Sequence, residues 1–424
     1  MDYPLNSAEP LVMHIDMNSS FASVEQQANR LLRHQPVGVA ANMSPGGCII
    51  SPSREMKALG IKTGYRVRDA QEACPDINII PSDPDKYFEV HKQFSAIFCE
   101  YSPHVTPLSI DEAVIDFAGT PALRQKTMVE LGHEIKERIK SEIGEWMTCN
   151  VGIGTNRFLA KHAASLHKPD GLDVLTAENL REVYSQGTLL DLCGINRRNK
   201  ARLNLYHIFT PLEFLDAPMW KLWKQVFESV QGYRWYLRLR GWEVDDLSFP
   251  RRTYGQSYAL HHFTSKTEEL APLMKKLCEK MGRRLRRSGN YAEGIHVICG
   301  YRHSPGWHQG RKFAAKLYAT SDLYERAMQL LVDRPEGMKL THLAVSCYSL
   351  HPVRNPQLTL FETDEQRRFR LADALDACNN EFGEYSVHAG NMMGLENEII
   401  KRVPFHATSD TLAEIYSDEE RSPA

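Results

Sequence analysis

No Cys-x-x-Cys pair occurs anywhere in this chain, and its nine cysteines are scattered from position 48 to position 378. That spacing argues against a zinc site and against a disulfide framework, and it predicts buried, reduced thiols. No apolar run approaches the roughly 20 residues needed to span a bilayer, so no membrane partner is expected. The opening Met1-Asp2-Tyr3-Pro4-Leu5-Asn6 lacks the basic start of a signal peptide, and the expected location is the cytoplasm, beside the nucleoid in a bacterium. Internal repeats are also missing. What remains is a chain of 424 residues, 42% of them hydrophobic, enough for about three to four domains with substantial cores.

A formal charge of −2 hides a strong asymmetry. Residues 251–316 carry fourteen Lys or Arg against four Glu, whereas residues 362–424 carry fourteen Asp or Glu against six Lys or Arg. A basic region followed by an acidic tail suits a protein that grips a polyanion with one part and leaves the other in solvent or against a protein. The bland alternative is a solvated helix face.

Two acidic signatures stand out: Leu11-Val12-Met13-His14-Ile15-Asp16-Met17-Asn18, and Ser109-Ile110-Asp111-Glu112-Ala113-Val114-Ile115-Asp116-Phe117. Each sets carboxylates at the end of an apolar, strand-like run. Singly, Asp16 could cap a helix beginning at Asn18, and Asp111-Glu112 could be a solvated hairpin tip. Together they form a set of hard oxygen ligands suited to Mg²⁺ or Mn²⁺, and two such ions make the clamp used for in-line phosphoryl transfer.

The pattern along the chain predicts an α+β core. Strands are expected at 11–15, 37–41, 47–51, 104–109, 112–118 and 149–153, and helices at 19–33, 52–60, 84–101, 121–143 and 157–166, with a Pro-rich connection through Pro75, Pro81 and Pro84. Residues 171–240 read as largely helical and 244–249 as a linker. From Arg251 the order is strand, helix (266–288), two strands (291–302 and 310–318), helix (321–333) and strand (340–349). This βαββαβ order predicts a sheet with two helices on one face.

At this point the ordered motifs resemble those of the Y-family translesion DNA polymerases, DNA polymerase IV and UmuC among them. They are His14-Ile15-Asp16-Met17-Asn18 with Phe21-Ala22-Ser23-Val24-Glu25, Lys57-Ala58-Leu59-Gly60-Ile61, Ser109-Ile110-Asp111-Glu112-Ala113, and Val151-Gly152-Ile153-Gly154 through Leu159-Ala160-Lys161 to Lys168-Pro169-Asp170-Gly171. The resemblance spans about residues 10–350, and five motifs in order are far more specific than one. It implies a right hand: palm at 1–18 and 76–170, fingers at 19–75, thumb at 171–243, little finger at 244–352, and a tail at 353–424. It implies a template-dependent DNA polymerase with an open, low-fidelity site for lesion bypass, acting as a monomer on primer-template DNA and deoxynucleoside triphosphates. It leaves no room for an added proofreading exonuclease.

The same resemblance implies roles. Asp16, Asp111 and Glu112 hold two Mg²⁺ ions, with the Met17 carbonyl as a further ligand and Glu112 nearest the nucleophile. Phe21 is the steric gate against a ribose 2′-hydroxyl. Backbone amides from Asn18 through Ser19 and Ser20 to Phe21 cradle the triphosphate, and Lys57, Lys168 and Arg54 contact its phosphates. Lys161 is structural or a DNA-phosphate contact. Asn18, Ser19, Ser20 and Arg54 depart from the commonest pattern, Arg54 standing where many members carry Tyr; its planar charged fork can take the same contact.

Three further features fit that plan. Residues 189–196, with Lys200, Leu203 and 208–210, resemble a helix-hairpin-helix in which Asn196 replaces a glycine and tolerates positive φ. Arg283, Arg284, Arg286 and Arg287 are expected to give salt-sensitive, sequence-independent phosphate contacts, and Trp307 either joins that surface or packs on its own hairpin. Gln357-Leu358-Thr359-Leu360-Phe361 resembles a sliding-clamp peptide that uses Gln357, Leu360 and Phe361. After it, 369–382 reads as a helix and 404–424 as a polar, acidic end without a core. Two rivals stand beside the polymerase reading: a non-catalytic DNA-bound scaffold of the same family, and a palm-fold nucleotide cyclase.

Overall fold

A computed structural model describes residues 3–246, 250–302, 304–353 and 363–395. Two compact units emerge, one running to Leu247 and the next beginning at Ser248, four residues beyond the expected start of the little finger.

The first unit opens with β1 (Val12–Met17) and α1 (Ser20–Ala28). The helix is shorter than the expected 19–33, because Asn29 turns extended and its side chain caps a 3₁₀ turn at Arg30–Leu32. Next come β2 (Val37–Ala40), β3 (Ile49–Pro52), α2 (Arg54–Ala58), α3 (Val67–Ala73) and β4 (Asn78–Pro81), in which the three strands form a small sheet of order β3-β2-β4. Both α3 and β4 lie where a connection was expected. The strand is four residues long and ends in Pro81, which an edge strand tolerates, so its periodic signal was too short to read.

A five-stranded sheet of order β5-β6-β1-β7-β8 forms the centre of this unit: β5 (Val105–Pro107) and β6 (Glu112–Asp116) follow α4 (Pro84–Tyr101), then α5 (Met128–Arg138), β7 (Cys149–Gly154), α6 (Arg157–Leu166) and β8 (Leu172–Val174). Period-two alternation divides β1 between two faces. Met13 and Ile15 join the core cluster that includes Leu131 and Ile135 of α5. His14 and Asp16 point the other way, toward the face on which α6 lies, since their register partners are Gly152 and Asn150 and Gly152 abuts Ala160 and Ala164 of α6. A Cβ on Gly152 would stand 2.0 Å from the Ala160 carbonyl oxygen, so only glycine permits this approach.

Helices α7 (Leu180–Gln186), α8 (Arg197–Leu205), α9 (Pro211–Asp216), α10 (Met219–Lys221) and α11 (Val230–Arg238) enclose a second core with Tyr184, Phe214 and Trp235, to which α6 adds Phe158, Leu159 and Ala163. At the hairpin, positive φ falls on Gly194. Asn196 is extended instead and caps α8 by accepting from the Asn199 amide, which corrects its expected left-handed role.

The second unit runs β9 (Thr253–Thr264), α12 (Thr267–Arg287), β10 (Asn290–Tyr301), β11 (Trp307–Leu317), α13 (Thr320–Leu331) and β12 (Leu340–Pro352), the expected βαββαβ order. Its antiparallel sheet has order β11-β10-β12-β9, and α12 and α13 bury Leu270, Leu277, Met281, Leu323 and Leu330 against it. Trp307 packs against this core.

The arginine run of α12 corrects the sequence reading. Arg286 is buried, makes a bidentate pair with Asp376 at 2.6 and 2.8 Å, and donates to the Tyr318 carbonyl at 2.9 Å. Arg283 donates to Asn380 at 2.8 Å, and Arg284 donates to the Gly255 carbonyl while lying over Tyr254. Their partners Asp376 and Asn380 come from α14 (Asp364–Phe382), a longer helix than the expected 369–382, begun by a capping box at Thr363 and Gln366. Tyr318 donates to Asp373 at 2.5 Å and stacks on Phe369, while Lys316–Glu365 and Arg368–Asp322 complete the docking. Asp376 of α14 therefore offsets the charge of Arg286 on the basic helix, and Glu384 lies 3.4 Å from Arg283. Of the four arginines only Arg287 is exposed. The cysteine expectation holds in part: all nine are free thiols, with four buried but Cys99 and Cys193 exposed. Among the described residues no helix is long and apolar enough to cross a membrane.

Because Arg286 is buried, Asp376→Ala leaves a charge without its counterion and is expected to cost about 3 kcal/mol in urea unfolding of the full chain. A loss below about 0.5 kcal/mol would mean that the pair contributes no more than a surface ion pair.

Candidate active site

The acidic residues meet because β1 and β6 are antiparallel neighbours with Asp16 opposite Glu112. Asp111 sits in the turn just before β6, and its carbonyl accepts from the Met17 amide at 2.9 Å. Three carboxylates thus occupy the end of two adjacent strands.

Each has a different environment. Burial raises the Asp111 carboxyl, and the charges of Asp16 and Glu112 push it the same way against a 2.5 Å hydrogen bond from Ser109. Glu112 goes the other way. Its burial would raise it, but the approach of His14 and the hydrogen bond from Lys161 outweigh that and bring it down to about 2. Lys161 Nζ lies 2.7 Å from Glu112 Oε2, and His14 Nε2 lies 3.3 Å from the same oxygen without the alignment of a hydrogen bond. Asp16 accepts from Lys168.

Asp16, Met17, Asn18, Ser19, Ser20, Phe21, Arg54, Lys57, Asp111 and Lys168 all line one pocket of about 560 Å³. Of the expected site residues only Glu112 is missing from its lining; it is held by Lys161, with His14 close by. The pocket volume falls in the range usual for small-ligand and cofactor sites. Its cations crowd one another: burial lowers the Lys57 ammonium, and Lys168 and Arg54 lower it further. Lys57 also donates to Ser19 Oγ at 2.8 Å.

Asn18 plays a different part from the one expected. Its amide donates to the Thr148 carbonyl at 2.8 Å and so is not free for a phosphate. Its Oδ1 accepts from Thr148 Oγ1 at 3.0 Å and from the Asp170 amide at 2.8 Å, and Thr148 Oγ1 also takes the Arg54 guanidinium. Asn18 therefore ties the turn carrying Lys168 to the strand carrying Asp16. Phe21 stacks on Tyr87 with ring centroids 4.4 Å apart, and Tyr87 is held by a 2.9 Å hydrogen bond to the buried Glu25. One face of the Phe21 ring is thus core while the residue still lines the pocket.

Sequence reasoning missed His14, Thr148 and Tyr87, and it read Lys161 as structural or a DNA-phosphate contact without naming Glu112 as its partner. His14 was findable, because two residues before Asp16 on a strand means the same face. The others are brought in from distant segments and left no local signal.

A divalent cation fits this place by chemistry, since Asp16, Asp111, Glu112 and the Met17 carbonyl are hard oxygen donors. No ready cage exists, however: among the described residues no three His, Cys, Asp or Glu side chains stand at metal-ligand geometry. Asp16 and Glu112 are instead each paired with a lysine, Lys168 and Lys161.

Residues 15–165 match the impB/mucB/samB family, and residues 251–360 match the impB/mucB/samB family C-terminal domain. The chain is 31% identical to DNA polymerase IV of Pelotomaculum thermopropionicum over 89% of its own length and 94% of the relative's. It is 32% identical to DNA polymerase IV of Moorella thermoacetica over 90% and 96%. Among solved structures, a Y-family DNA polymerase chimera of Dbh and Dpo4 superposes with a TM-score of 0.69 at 20% identity, covering 81% of this chain and 99% of that one. The insertion ternary complex of Dbh DNA polymerase gives 0.53, also at 20% identity, over 80% and 98%.

Proposed function

The chain belongs to the impB/mucB/samB family of Y-family DNA polymerases, and from that premise we propose that this DNA-directed DNA polymerase extends primers by two-metal phosphoryl transfer, as a low-fidelity enzyme that copies damaged templates. One observation carries the mechanistic part. Asp16 and Glu112 are cross-strand neighbours with Asp111 beside them, next to a pocket that also bears Arg54, Lys57 and Lys168. Acid and base thus sit side by side in one site, as a metal-bound triphosphate requires.

In this reading Asp16, Asp111, Glu112 and the Met17 carbonyl hold two Mg²⁺ ions, or Mn²⁺ in their place. When bound, the ions supply the charge that lowers the pKa of the primer 3′-hydroxyl and offsets the charge developing at the α-phosphate. Lys57, Lys168 and Arg54 receive the β- and γ-phosphates, joined by the backbone amides of Ser19, Ser20 and Phe21 where α1 begins. Asn18 orients the turn of Lys168. Phe21 excludes a ribose 2′-hydroxyl, with Tyr87 keeping its ring in place. Small side chains at Ser19, Ser20, Ser51 and Ala58 reduce the bulk of the pocket wall, which supports acceptance of misshapen pairs.

Primer-template DNA, a monomeric state and a cytoplasmic location belong to the same proposal, with palm at 1–18 and 76–170, fingers at 19–75, thumb at 171–243 and little finger at 244–352. Recruitment by a sliding clamp through Gln357, Leu360 and Phe361 rests on the sequence, because the peptide lies outside the described residues, as do residues 404–424. The nucleotide-cyclase rival has no use for the helical hairpin or the βαββαβ unit. The scaffold rival shares the fold and differs only in turnover.

Primer extension with Mg²⁺ separates the two. Asp111→Ala and Glu112→Ala are each expected to lower turnover by about a thousandfold or more, with primer-template affinity within a few fold. Near wild-type turnover in either variant would sink the metal assignment, and an inactive wild type would favour the scaffold.

Phe21→Ala is expected to raise ribonucleotide incorporation relative to deoxyribonucleotide by about a hundredfold or more in single-nucleotide insertion assays. Unchanged discrimination would make Phe21 a core residue only.

Leu360→Ala with Phe361→Ala removes two apolar anchors, a loss of several kcal/mol from a peptide contact whose micromolar affinity is worth about 8 kcal/mol. Clamp-free extension is expected to survive and clamp stimulation to vanish. Equal stimulation of both proteins would place any clamp contact elsewhere.

A further inference from the structure

Glu112 is the one expected site residue that does not line the pocket, and two neighbouring side chains reach it. Its two neighbours converge on one atom. Lys161 Nζ donates to Oε2 at 2.7 Å, and the fully buried His14 brings Nε2 to 3.3 Å from the same oxygen. Among the described residues no hydrogen bond reaches Oε1.

Lys161 reaches Glu112 because α6 lies flat on the sheet. With glycine at 152 and 154, the helix backbone comes closer than any Cβ would permit, and Cβ atoms there would stand 2.0 Å from the Ala160 oxygen and 2.7 Å from its nitrogen. Lys161 is the next residue on that helix, and its side chain is only 32% exposed, less free than a surface lysine. A half-buried ammonium fixed on one oxygen of a carboxylate orients the other, as partners of metal-ligating carboxylates commonly do.

We propose that Lys161, backed by His14, is a positioning residue that grips Glu112 by Oε2 and leaves Oε1 for the metal site and the primer hydroxyl. The inference rests on the two-metal polymerase reading. It differs from the two other roles open to Lys161: a contact to a DNA phosphate, and a cation that merely competes with the metal for Glu112.

The test uses the full chain with Lys161→Met and Lys161→Arg, measuring Mg²⁺-dependent single-nucleotide turnover and KM, primer-template Kd over a range of salt, and Mn²⁺ binding to the free protein by electron paramagnetic resonance. Lys161→Met is expected to lower kcat about ten- to hundredfold, the scale of a misplaced reacting group, with KM and Kd changed by less than about twofold. Mn²⁺ should bind the same variant several-fold more tightly, because a nearby positive charge is gone. Lys161→Arg should restore most of the rate.

Unchanged kcat overturns the inference. Weaker DNA binding with a smaller salt slope assigns Lys161 to a phosphate instead. A rate that rises together with Mn²⁺ affinity makes the ammonium a competitor only. Should Lys161→Met fail to fold, Lys161→Gln decides by the same measurements. A wild type that does not extend primers defeats the polymerase reading itself, whereas an active wild type matched by Lys161→Met defeats only this inference.

Discussion

The site depends on how closely one helix lies on one strand. Glycine at 152 and 154 removes the two side chains that would hold α6 away from β7. The helix then sits over the face of β1 that carries His14 and Asp16, and Lys161 comes within reach of Glu112. The turn that follows is pinned from both sides. Asp170 pairs with Lys136 at 3.3 Å and Lys140 at 3.2 Å, while its amide donates to Asn18. Lys168, two residues earlier, is held against Asp16 as a result. An overpacked contact at Gly152 would disturb this whole arrangement, since interiors are close-packed and transmit strain.

Gathering like charges is the second constraint. At about 4 Å two carboxylates repel by roughly 4 kcal/mol under the effective dielectric of a protein surface. Burial adds to this at Asp111, whose carboxyl is pushed upward. On the other side of the pocket Lys57 is pushed downward by its burial and by Lys168 and Arg54. Each half is unfavourable alone. Lysine contacts to Asp16 and Glu112 offset part of the cost, and a ligand carrying both metal cations and phosphate anions relieves both halves at once. Conflicts of this kind are expected where folding and function make different demands.

In the second unit the charges are resolved internally. The basic helix α12 meets the acidic segment 90 residues further along the chain through Arg286–Asp376, with Arg283 beside Glu384 at 3.4 Å, and Lys316 of β11 pairs with Glu365. Composition located both regions but not the pairing of Arg286 with Asp376. Net charge over a window says nothing about which face of a helix carries it, and α12 turns Arg286 inward.

The amino-acid sequence alone determined the βαββαβ plan of the second unit, most strands and helices around the site in the first, and the pocket residues from Asp16 to Phe21 with Lys57, Asp111 and Lys168. Period, breakers and motif spacing are local quantities, so they survive in one dimension. It misread what is short or buried by distant partners: β4, β8, the cap at Asn196 and the inward Arg286. Only the tertiary structure decided that Asn18 binds the Lys168 turn and that Lys161 and His14 share one oxygen of Glu112. Such contacts join segments up to 152 positions apart, and their existence depends on the strand register and on a missing Cβ at Gly152, neither of which any local window of residues records.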